Sequence, residues 1–252
     1  MTFRTLLGGL AVALALPFGA AAGPITNGGF ETGDFTGFDT IGDTLIVDDT
    51  FGAEIPGGDF AALASALNDE TGDAEADAVA TFLGLDVAAF GNQATEGSAI
   101  SAQITGAAGE AVFFSFNFLT DEQTPSEFND FGFVSLVGEG LAGIGLLAET
   151  FSAFGDSLSD FDDETGTITG FVTLPVAGSF TLGFGAFHVI DTLAPSSLLI
   201  DDIFIDVVGA GGPGATEIAL ADVIPVTVVP VPAPLALMGL GLAGLIVARR
   251  RR

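Results

Sequence analysis

Carboxylates are the side chains of this sequence that could do chemistry, and Asp201 lies in the most unusual setting. Strict alternation along its apolar segment would place Asp201 on one strand face together with Leu199, Ile203 and Ile205. Burying a carboxylate among apolar side chains is costly unless hydrogen bonds or an opposite charge compensate for the lost water. Because no Lys or Arg is near it in the sequence, two partners are open, namely backbone N–H groups or a bound cation.

The charges of the chain are strongly segregated. It has 33 Asp and Glu but only five Lys and Arg, which gives a formal net charge of −28. The five cationic residues are Arg4 and the terminal Arg249, Arg250, Arg251 and Arg252. The carboxylates between them must therefore be solvated, screened by salt or bridged by metal ions. Nucleic acid is excluded as a partner, because phosphate binding requires cations that the middle of the chain lacks.

Signals for catalysis are almost absent. The chain has no Cys and therefore no thiol nucleophile, and its single His188 has no Gly-x-Ser-x-Gly motif nearby. Paired carboxylates could hydrolyse glycosides, but no pair stands out, and there is no Trp or Tyr to stack against a sugar ring. We interpret His188 as a structural residue and the protein as non-enzymatic, and a surface hydrolase is the least supported alternative.

The N-terminus has the pattern of a secretory signal peptide. Arg4 precedes an apolar run at residues 6–16, and Ala20 and Ala22 form a small-residue cleavage site. The run is too short to span a bilayer unaided. We predict that residues 1–22 are the signal peptide and that signal peptidase cuts between Ala22 and Gly23. A retained N-terminal anchor is the alternative.

The C-terminus has the pattern of a membrane segment. Residues 235–248 are wholly apolar or Gly, and four arginines follow them directly. As a helix this segment rises only about 21 Å, against a hydrocarbon core of about 30 Å, so upstream valines must contribute to a span. The arginines favour the cytoplasmic side, which leaves the rest of the chain outside.

This C-terminal end resembles the PEP-CTERM sorting signal. A Pro-containing motif, here Val231, Pro232, Ala233 and Pro234, precedes the short apolar stretch and the terminal Arg cluster. The resemblance implies that an exosortase, a membrane cysteine transpeptidase, cuts near the motif. Ala233 occupies the place of the usual Glu, which leaves the cut site open. The alternative is a plain C-terminal anchor that is never processed.

The same resemblance implies a destination. Proteins with this signal are exported by Gram-negative bacteria that make extracellular polysaccharide. The chain is therefore expected to pass through an inner-membrane-tethered intermediate, held by its C-terminal helix, to the cell surface or extracellular matrix, where polysaccharide is a potential partner. The sorting signal occupies residues 230–252, and a Gly-rich stretch opens a predicted linker at residues 209–229.

Residues 23–208 are predicted to form an all-β domain, because short apolar stretches alternate with Gly, Thr, Asp and Asn. We expect a two-sheet β-sandwich of jelly-roll type between the signal peptide and the C-terminal transmembrane helix. A short helix is predicted at 61–67, the segment 141–154 is ambiguous, and the acidic runs 68–77 and 156–164 are predicted to be solvated loops. The predicted strands are 112–119, 131–137, 168–174, 180–187 and 198–207, with weaker candidates at 45–47 and 98–104.

The two ends of this domain resemble the opening and closing strands of galactose-binding-like jelly rolls. The opening motif is Asn-Gly-Gly-Phe-Glu at residues 27–31, and the closing strand is residues 198–206. In such domains the Glu of the opening motif and an Asp of the closing strand hold a structural calcium ion. The resemblance therefore implies Ca²⁺ ligands at Glu31 and Asp201, with Asp202 as the alternative. The other reading is that turn amides satisfy Asp201.

Taken with the export signals, the sequence favours a non-enzymatic surface or matrix protein that is secreted by Sec and sorted by its C-terminal signal. A calcium-dependent carbohydrate-binding or adhesive module, delivered by the same route, is the alternative. Exposed phenylalanines on one concave face would favour ligand binding, whereas buried phenylalanines would favour a structural role.

Overall fold

The computed structural model describes residues 25–67, 72–91, 93–125, 128–212 and 214–222. The predicted cleavage site at Ala22 and Gly23 lies outside these residues. The sorting motif at 231–234, the apolar segment at 235–248 and the arginines at 249–252 also lie outside them. In the part of the chain that is described, no helix is both long and apolar enough to cross a membrane.

Strands dominate the described chain, so the predicted all-β class is confirmed. One α-helix, α1 (Ala76–Leu83), and two 3-10 helices, Asp49–Phe51 and Val87–Phe90, accompany them. The strands are β1 (Asp39–Ile41), β2 (Asp43–Asp48), β3 (Phe60–Ala66), β4 (Ala74–Glu75), β5 (Ala94–Gly106), β6 (Glu110–Thr120), β7 (Phe131–Gly138), β8 (Leu141–Glu149), β9 (Gly155–Asp156), β10 (Asp163–Glu164), β11 (Ile168–Thr173), β12 (Gly178–Val189), β13 (Ser196–Val207) and β14 (Thr216–Glu217).

The strands form two sheets packed as a sandwich. The first sheet has the order β1-β5-β12-β7-β8, with β4 beside β5. The second has the order β14-β11-β6-β13-β3-β2, with β10 beside β6 and β9 beside β10. Successive long strands cross repeatedly between the sheets, from β5 to β6, β6 to β7, β11 to β12 and β12 to β13. This is jelly-roll connectivity, as the sequence predicted.

Phenylalanines build the central core between the sheets. Along β6, Phe114, Phe116 and Phe118 point inward because successive side chains of a strand alternate between its faces. Phe114 of the second sheet meets Phe184 of the first edge to face, with ring centroids 4.9 Å apart. Such pairs stabilise by about 0.5–1.5 kcal/mol beyond the area that they bury. Aromatic packing across the midplane therefore helps to hold the two sheets together.

Each sheet also carries an apolar cluster on its outer face. Helix α1 packs beside β5 and β12 on the first sheet, where Phe90 and Phe187 lie 4.4 Å apart between ring centroids. On the second sheet, Leu63, Leu199 and Phe161 pack under the loops that surround the first 3-10 helix. These clusters explain why strand residues on both faces are buried.

Two local predictions are wrong. Residues 61–67 form most of β3 rather than a helix, because the segment pairs with β2 on one side and β13 on the other. Its alanines favour a helix in isolation, but tertiary pairing overrides that weak preference. In the acidic run predicted as a loop at 68–77, residues 74–77 instead form β4 and the start of α1, whose buried residues have helical spacing. The ambiguous segment 141–154 contains β8.

Residues 216–221, which we call the C-terminal clamp, close the open side of the sandwich. β14 pairs in parallel with the edge strand β11, and the Ile218 N–H donates to the Phe171 carbonyl at 2.8 Å. Ala221 exchanges two backbone hydrogen bonds with Ile144, on the edge strand β8 of the other sheet, at 2.8 and 2.9 Å. The segment assigned to the linker from the sequence thus belongs, over these residues, to the domain.

The clamp also contributes to the central core. Ile218 and Leu220 pack against it, above the edges of both sheets. At Gly145 an added Cβ would lie 2.5 Å from the Ile218 side chain, so only Gly allows this approach. The absence of a side chain at Gly145 therefore leaves the space that Ile218 of the clamp occupies.

We expect Ile218→Ala to lower the free energy of unfolding by about 1–3 kcal/mol, because it removes partly buried methyl groups from the junction of the two sheets. The exposed neighbour Thr216 provides the matched control, and Thr216→Ala should change stability by less than about 0.5 kcal/mol. Urea denaturation of the purified chain measures both. Equal effects of the two substitutions would contradict a packing role for the clamp.

Candidate functional site

Asp201 lies at an irregularity of β13. The pairing of β13 with β6 shifts register between Asp201 and Phe204, and Asp202 has a positive φ of 50°. The prediction that Asp201 shares a face with Ile203 and Ile205 is therefore wrong. Ile203 belongs to the central core, whereas Leu199 packs on the outer side, because the bulge reverses the alternation.

Backbone amides satisfy the Asp201 carboxylate, which is fully buried. Its Oδ2 accepts from the Gly57 N–H at 2.9 Å, and its Oδ1 accepts from the Asp202 N–H at 2.6 Å. The opening motif lies beside it, since the Gly28 carbonyl accepts from the Ile203 N–H at 2.8 Å. The structure thus supports turn amides, one of the two partners that the sequence left open.

Glu31 reaches the same loop from the opening motif. Its Oε1 accepts from the Asp59 N–H at 2.9 Å and from the Phe60 N–H at 3.3 Å, although the residue is exposed. Gly58 has a φ of +55°, and an added Cβ there would overlap the Glu31 carboxylate. The fold therefore brings Glu31, Asp201 and Asp202 around residues 57–58.

The three carboxylates influence one another. Burial raises the pKa of Asp201 to about 7, and the negative charges of Asp202 and Glu31 add to the rise against the lowering effect of the two amides. Burial and the charge of Glu31 also raise the pKa of Asp202. Ionisation of Asp201 in the folded chain is therefore unfavourable below about pH 7.

The fit of these residues to calcium is incomplete. Calcium takes six to eight oxygen ligands, and carboxylates and carbonyls are the chemically suitable ones. Glu31 and Asp201 already accept backbone amides, and the Asp202 carboxylate accepts no hydrogen bond from a described residue. Across the described ranges, no group of three or more His, Cys, Asp or Glu side chains is arranged to hold a metal. The cluster is a convergence of carboxylates rather than a formed metal cage.

A second cluster surrounds His188, which is completely buried. Its Nδ1 lies 3.0 Å from Asp130 Oδ2, and its Nε2 lies 3.2 Å from the Leu67 carbonyl oxygen. Asp73 Oδ2 is 3.9 Å from Nε2. Because a carbonyl only accepts, Nε2 must carry a proton, and the carboxylate at Nδ1 favours a second one.

Asp130 is the centre of this network. Besides His188, it accepts from the Val189 N–H at 2.9 Å and from the Ser196 hydroxyl at 2.8 Å. Burial raises the pKa of Asp130 above its usual value, although the three donors lower it in part. Burial lowers the pKa of His188, but the hydrogen bond and charge of Asp130 outweigh burial and hold that pKa above its usual value. His188 is a buried structural residue, and its two acidic partners, Asp130 and Asp73, were not identified from the sequence.

Comparisons with known proteins identify the C-terminal signal but do not identify a ligand. No curated protein matches the chain. TmCBM61 in complex with β-1,4-galactotriose is 12% identical with a TM-score of 0.41, covering 72% of this chain and 95% of its own. A structure of carbohydrate-binding modules from the β-sandwich superfamily is 14% identical to this chain, with a TM-score of 0.39. The match covers 74% of this chain and 63% of that one.

The enzymatically active domain of tailspike protein 4 from bacteriophage CBA120 is 8% identical with a TM-score of 0.37, covering 73% of this chain and 21% of its own. Similarities of this size say nothing about what this chain binds. The C-terminal finding is specific, because residues 228–252 match the model of the PEP-CTERM protein-sorting motif. The predicted sorting signal is thus confirmed, and it directs export in bacteria.

The raised pKa of Asp201 predicts a pH dependence of stability. A carboxyl with a higher pKa in the folded than in the unfolded chain holds its proton more tightly when folded, so stability falls as pH rises. For Asp201 this fall in stability occurs between pH 3.8, its ordinary pKa, and about pH 7, its pKa in the folded chain. Asp201→Asn should therefore reduce the loss of unfolding free energy between about pH 4 and 7 by about 1 kcal/mol or more.

Several other groups act in the same direction and stay present in this comparison, among them Asp121, Asp130 and Asp202, whose pKa values burial raises. Burial raises the pKa of Asp73 to about 6, and His188 has a raised pKa, so both also favour the folded chain at lower pH. Asp39, which is exposed on β1, gives the matched control, because Asp39→Asn removes the same charge away from the cluster. Urea titrations at several pH values measure the slopes. An unchanged slope in Asp201→Asn would contradict the assignment.

Proposed function

We propose that this protein is a non-enzymatic component of the cell surface or extracellular matrix of a Gram-negative bacterium. The C-terminal sorting motif supports delivery by an exosortase-type transpeptidase, which would act on a membrane-tethered intermediate. The N-terminal pattern at residues 1–22 supports earlier export by the Sec route and cleavage by signal peptidase. The delivered part is the acidic jelly roll, closed by its C-terminal clamp.

The observation that carries the structural role is the location of the phenylalanines. Ten of the twelve largest fully buried side chains among the described residues are Phe. Of the described large hydrophobic residues that are exposed, only Phe151 and Phe204 are aromatic, with 37% and 39% of their surface accessible. The aromatic content therefore builds the cores of the sandwich, and it does not form a broad aromatic platform for a polysaccharide.

The acidity supports the same role. Most carboxylates of the described chain lie at the surface or accept local backbone amides, and no Lys or Arg stands among them. High net charge of one sign keeps proteins soluble and repels copies of the same chain. The surface of the domain is thus suited to a hydrated extracellular layer.

A second candidate is a calcium-dependent carbohydrate-binding or adhesive module. The observation that favours it is the convergence of Glu31, Asp201 and Asp202 around residues 57–58, with Asp202 lacking a hydrogen-bond donor among the described residues. Burial raises the pKa of Asp201, and a cation there would relieve the smaller contribution from the charges of Asp202 and Glu31. Stabilisation by calcium would accordingly be specific to these three residues.

Delivery has a direct test. In a host that contains an exosortase, we expect the surface form to lack residues 235–252, because processing occurs near the motif at 231–234. Replacing the four terminal arginines with Ser should reduce membrane retention and processing, since the positive charges that orient the segment are lost. Mass spectrometry of the surface fraction measures this. An intact C-terminal Arg252 at the surface would exclude processing.

Calcium separates the two candidates. For the structural role, we expect calcium, magnesium at the same concentration and sodium at matched ionic strength to raise the melting midpoint by ordinary screening. A bound calcium ion at a hundredfold excess over Kd would add about 2.7 kcal/mol, or roughly 5 °C or more.

The substitutions Glu31→Gln and Asp201→Asn test whether any calcium-specific rise of the melting midpoint comes from these residues. Asp39→Asn is the matched control. Loss of that part in the first two variants alone would favour the calcium-dependent module over the structural role. Calcium and magnesium acting alike would leave the acidity as a solubility feature.

A further inference from the structure

Residues 190–195, which we call the crossover loop, join β12 of the first sheet to β13 of the second. Its first residue, Ile190, has a φ of +76° and is the one β-branched residue with a positive φ in the described part of the chain. A β-branched residue in this conformation is strained, so the surrounding structure must hold it there. Burial does not compensate for the strain, since 46% of Ile190 is exposed.

The buried carboxylate of Asp130 holds both ends of the crossover loop. Its Oδ1 accepts from the N–H of Val189, directly before the loop, at 2.9 Å. Its Oδ2 accepts from the hydroxyl of Ser196, directly after the loop, at 2.8 Å. Displacement of this one carboxylate would therefore free the two ends of the loop together.

The position of Asp130 in turn depends on a proton. His188 Nδ1 lies 3.0 Å from Asp130 Oδ2, while Nε2 donates to the Leu67 carbonyl. A hydrogen bond between Nδ1 and a carboxylate needs one proton, which either partner can carry. Without that proton, a nitrogen lone pair would face an anionic oxygen in a buried site, which is repulsive. The geometry of the pair therefore requires a shared proton.

The ionisable groups around the pair are acidic. Asp73 Oδ2 lies 3.9 Å from His188 Nε2, and burial raises the pKa of Asp73 to about 6. The other acidic residues on the adjoining elements are Glu96 on β5, Asp43 on β2, Glu122 after β6, Asp191 after β12 and the exposed Asp77 on α1. The described residues include no Lys or Arg, so none of their side chains can replace the proton once it is lost.

We propose that the proton shared by His188 and Asp130 controls the crossover loop. While the pair holds this proton, Asp130 keeps Ile190 in its strained conformation. When rising pH removes the proton, repulsion between Nδ1 and Oδ2 displaces the carboxylate, and the strain of Ile190 favours release of the loop.

The direction of the pH effect follows from the pair. Burial lowers the pKa of His188, but its hydrogen bond with Asp130 keeps that pKa above the usual 6.5, and burial raises the pKa of Asp130. Groups with a raised pKa in the folded chain stabilise it at low pH, and they lose this contribution as pH rises through the raised pKa. Release of the crossover loop is therefore expected above pH 6.5, the ordinary pKa of the imidazole.

Amide hydrogen exchange of the full chain in detergent, followed by NMR between about pH 5.5 and 9, measures the release. After correction for intrinsic exchange rates, we expect the protection of the Val189 and Ile190 amides to fall at least tenfold. The reason is that each pH unit between the pKa of the released and of the closed pair changes the opening equilibrium up to tenfold. Amides at the centre of β6 should stay better protected than the loop throughout. Constant protection of the loop, or equal protection of the loop and β6 at pH 9, would overturn the proposal.

The single histidine provides a second measurement on the same sample. The ring resonances of His188 report the titration of the pair without overlap, since the chain has no other His. The loss of loop protection should level off within about one pH unit of the midpoint of the ring titration. A larger difference would show that another group controls the loop.

A substitution tests the strain. Asn adopts a positive φ more readily than Ile, so Ile190→Asn should raise the protection of the loop about three- to tenfold at every pH, without moving the pH at which it levels off. Leu193→Asn makes a similar change at a residue of the same loop that is 76% exposed, and it should leave protection unchanged. Protection in Ile190→Asn that is no higher than in Leu193→Asn would contradict the role of Ile190.

Discussion

The absence of Lys and Arg from the domain is the constraint on which the rest of the structure depends. Without cationic partners, its carboxylates turn to backbone N–H groups, as Asp48 does toward Thr50, Asp86 toward Ala88 and Asp201 toward Gly57. Such charge-assisted bonds are stronger than neutral ones. The acidic residues thus shape turns and helix starts, and they take no part in Lys or Arg ion pairs.

The single imidazole, that of His188, also reflects the absence of Lys and Arg. His188 is the one side chain of the described domain that can carry a positive charge, and it is placed against the deeply buried Asp130. Exposed carboxylates are left to water and salt, since a surface ion pair contributes little. Cohesion therefore comes from aromatic packing, which accounts for the many buried phenylalanines in a chain without disulfides.

The sequence predicted best where periodicity and position agree. β6 and β12 alternate clearly, and the opening and closing segments did bring Glu31 beside Asp201. Periodicity failed at β3, whose alanines carry no strand preference and whose conformation comes from its two neighbours. It failed also beyond Asp201, because a bulge depends on pairing with another strand. The His188 network joins residues 58 and 121 positions apart, a proximity that no local pattern contains.

The clamp links the fold to the sorting signal. Ala221 is bonded to the first sheet, and the matched sorting motif begins at residue 228. Even a fully extended chain from Asp222 to residue 228 covers only about 20 Å. The clamped edge, where β11 and β8 face each other, must therefore be the side of the sandwich nearest the sorting signal. The packing of Ile218 and Leu220 therefore determines where the short stretch before the sorting motif begins.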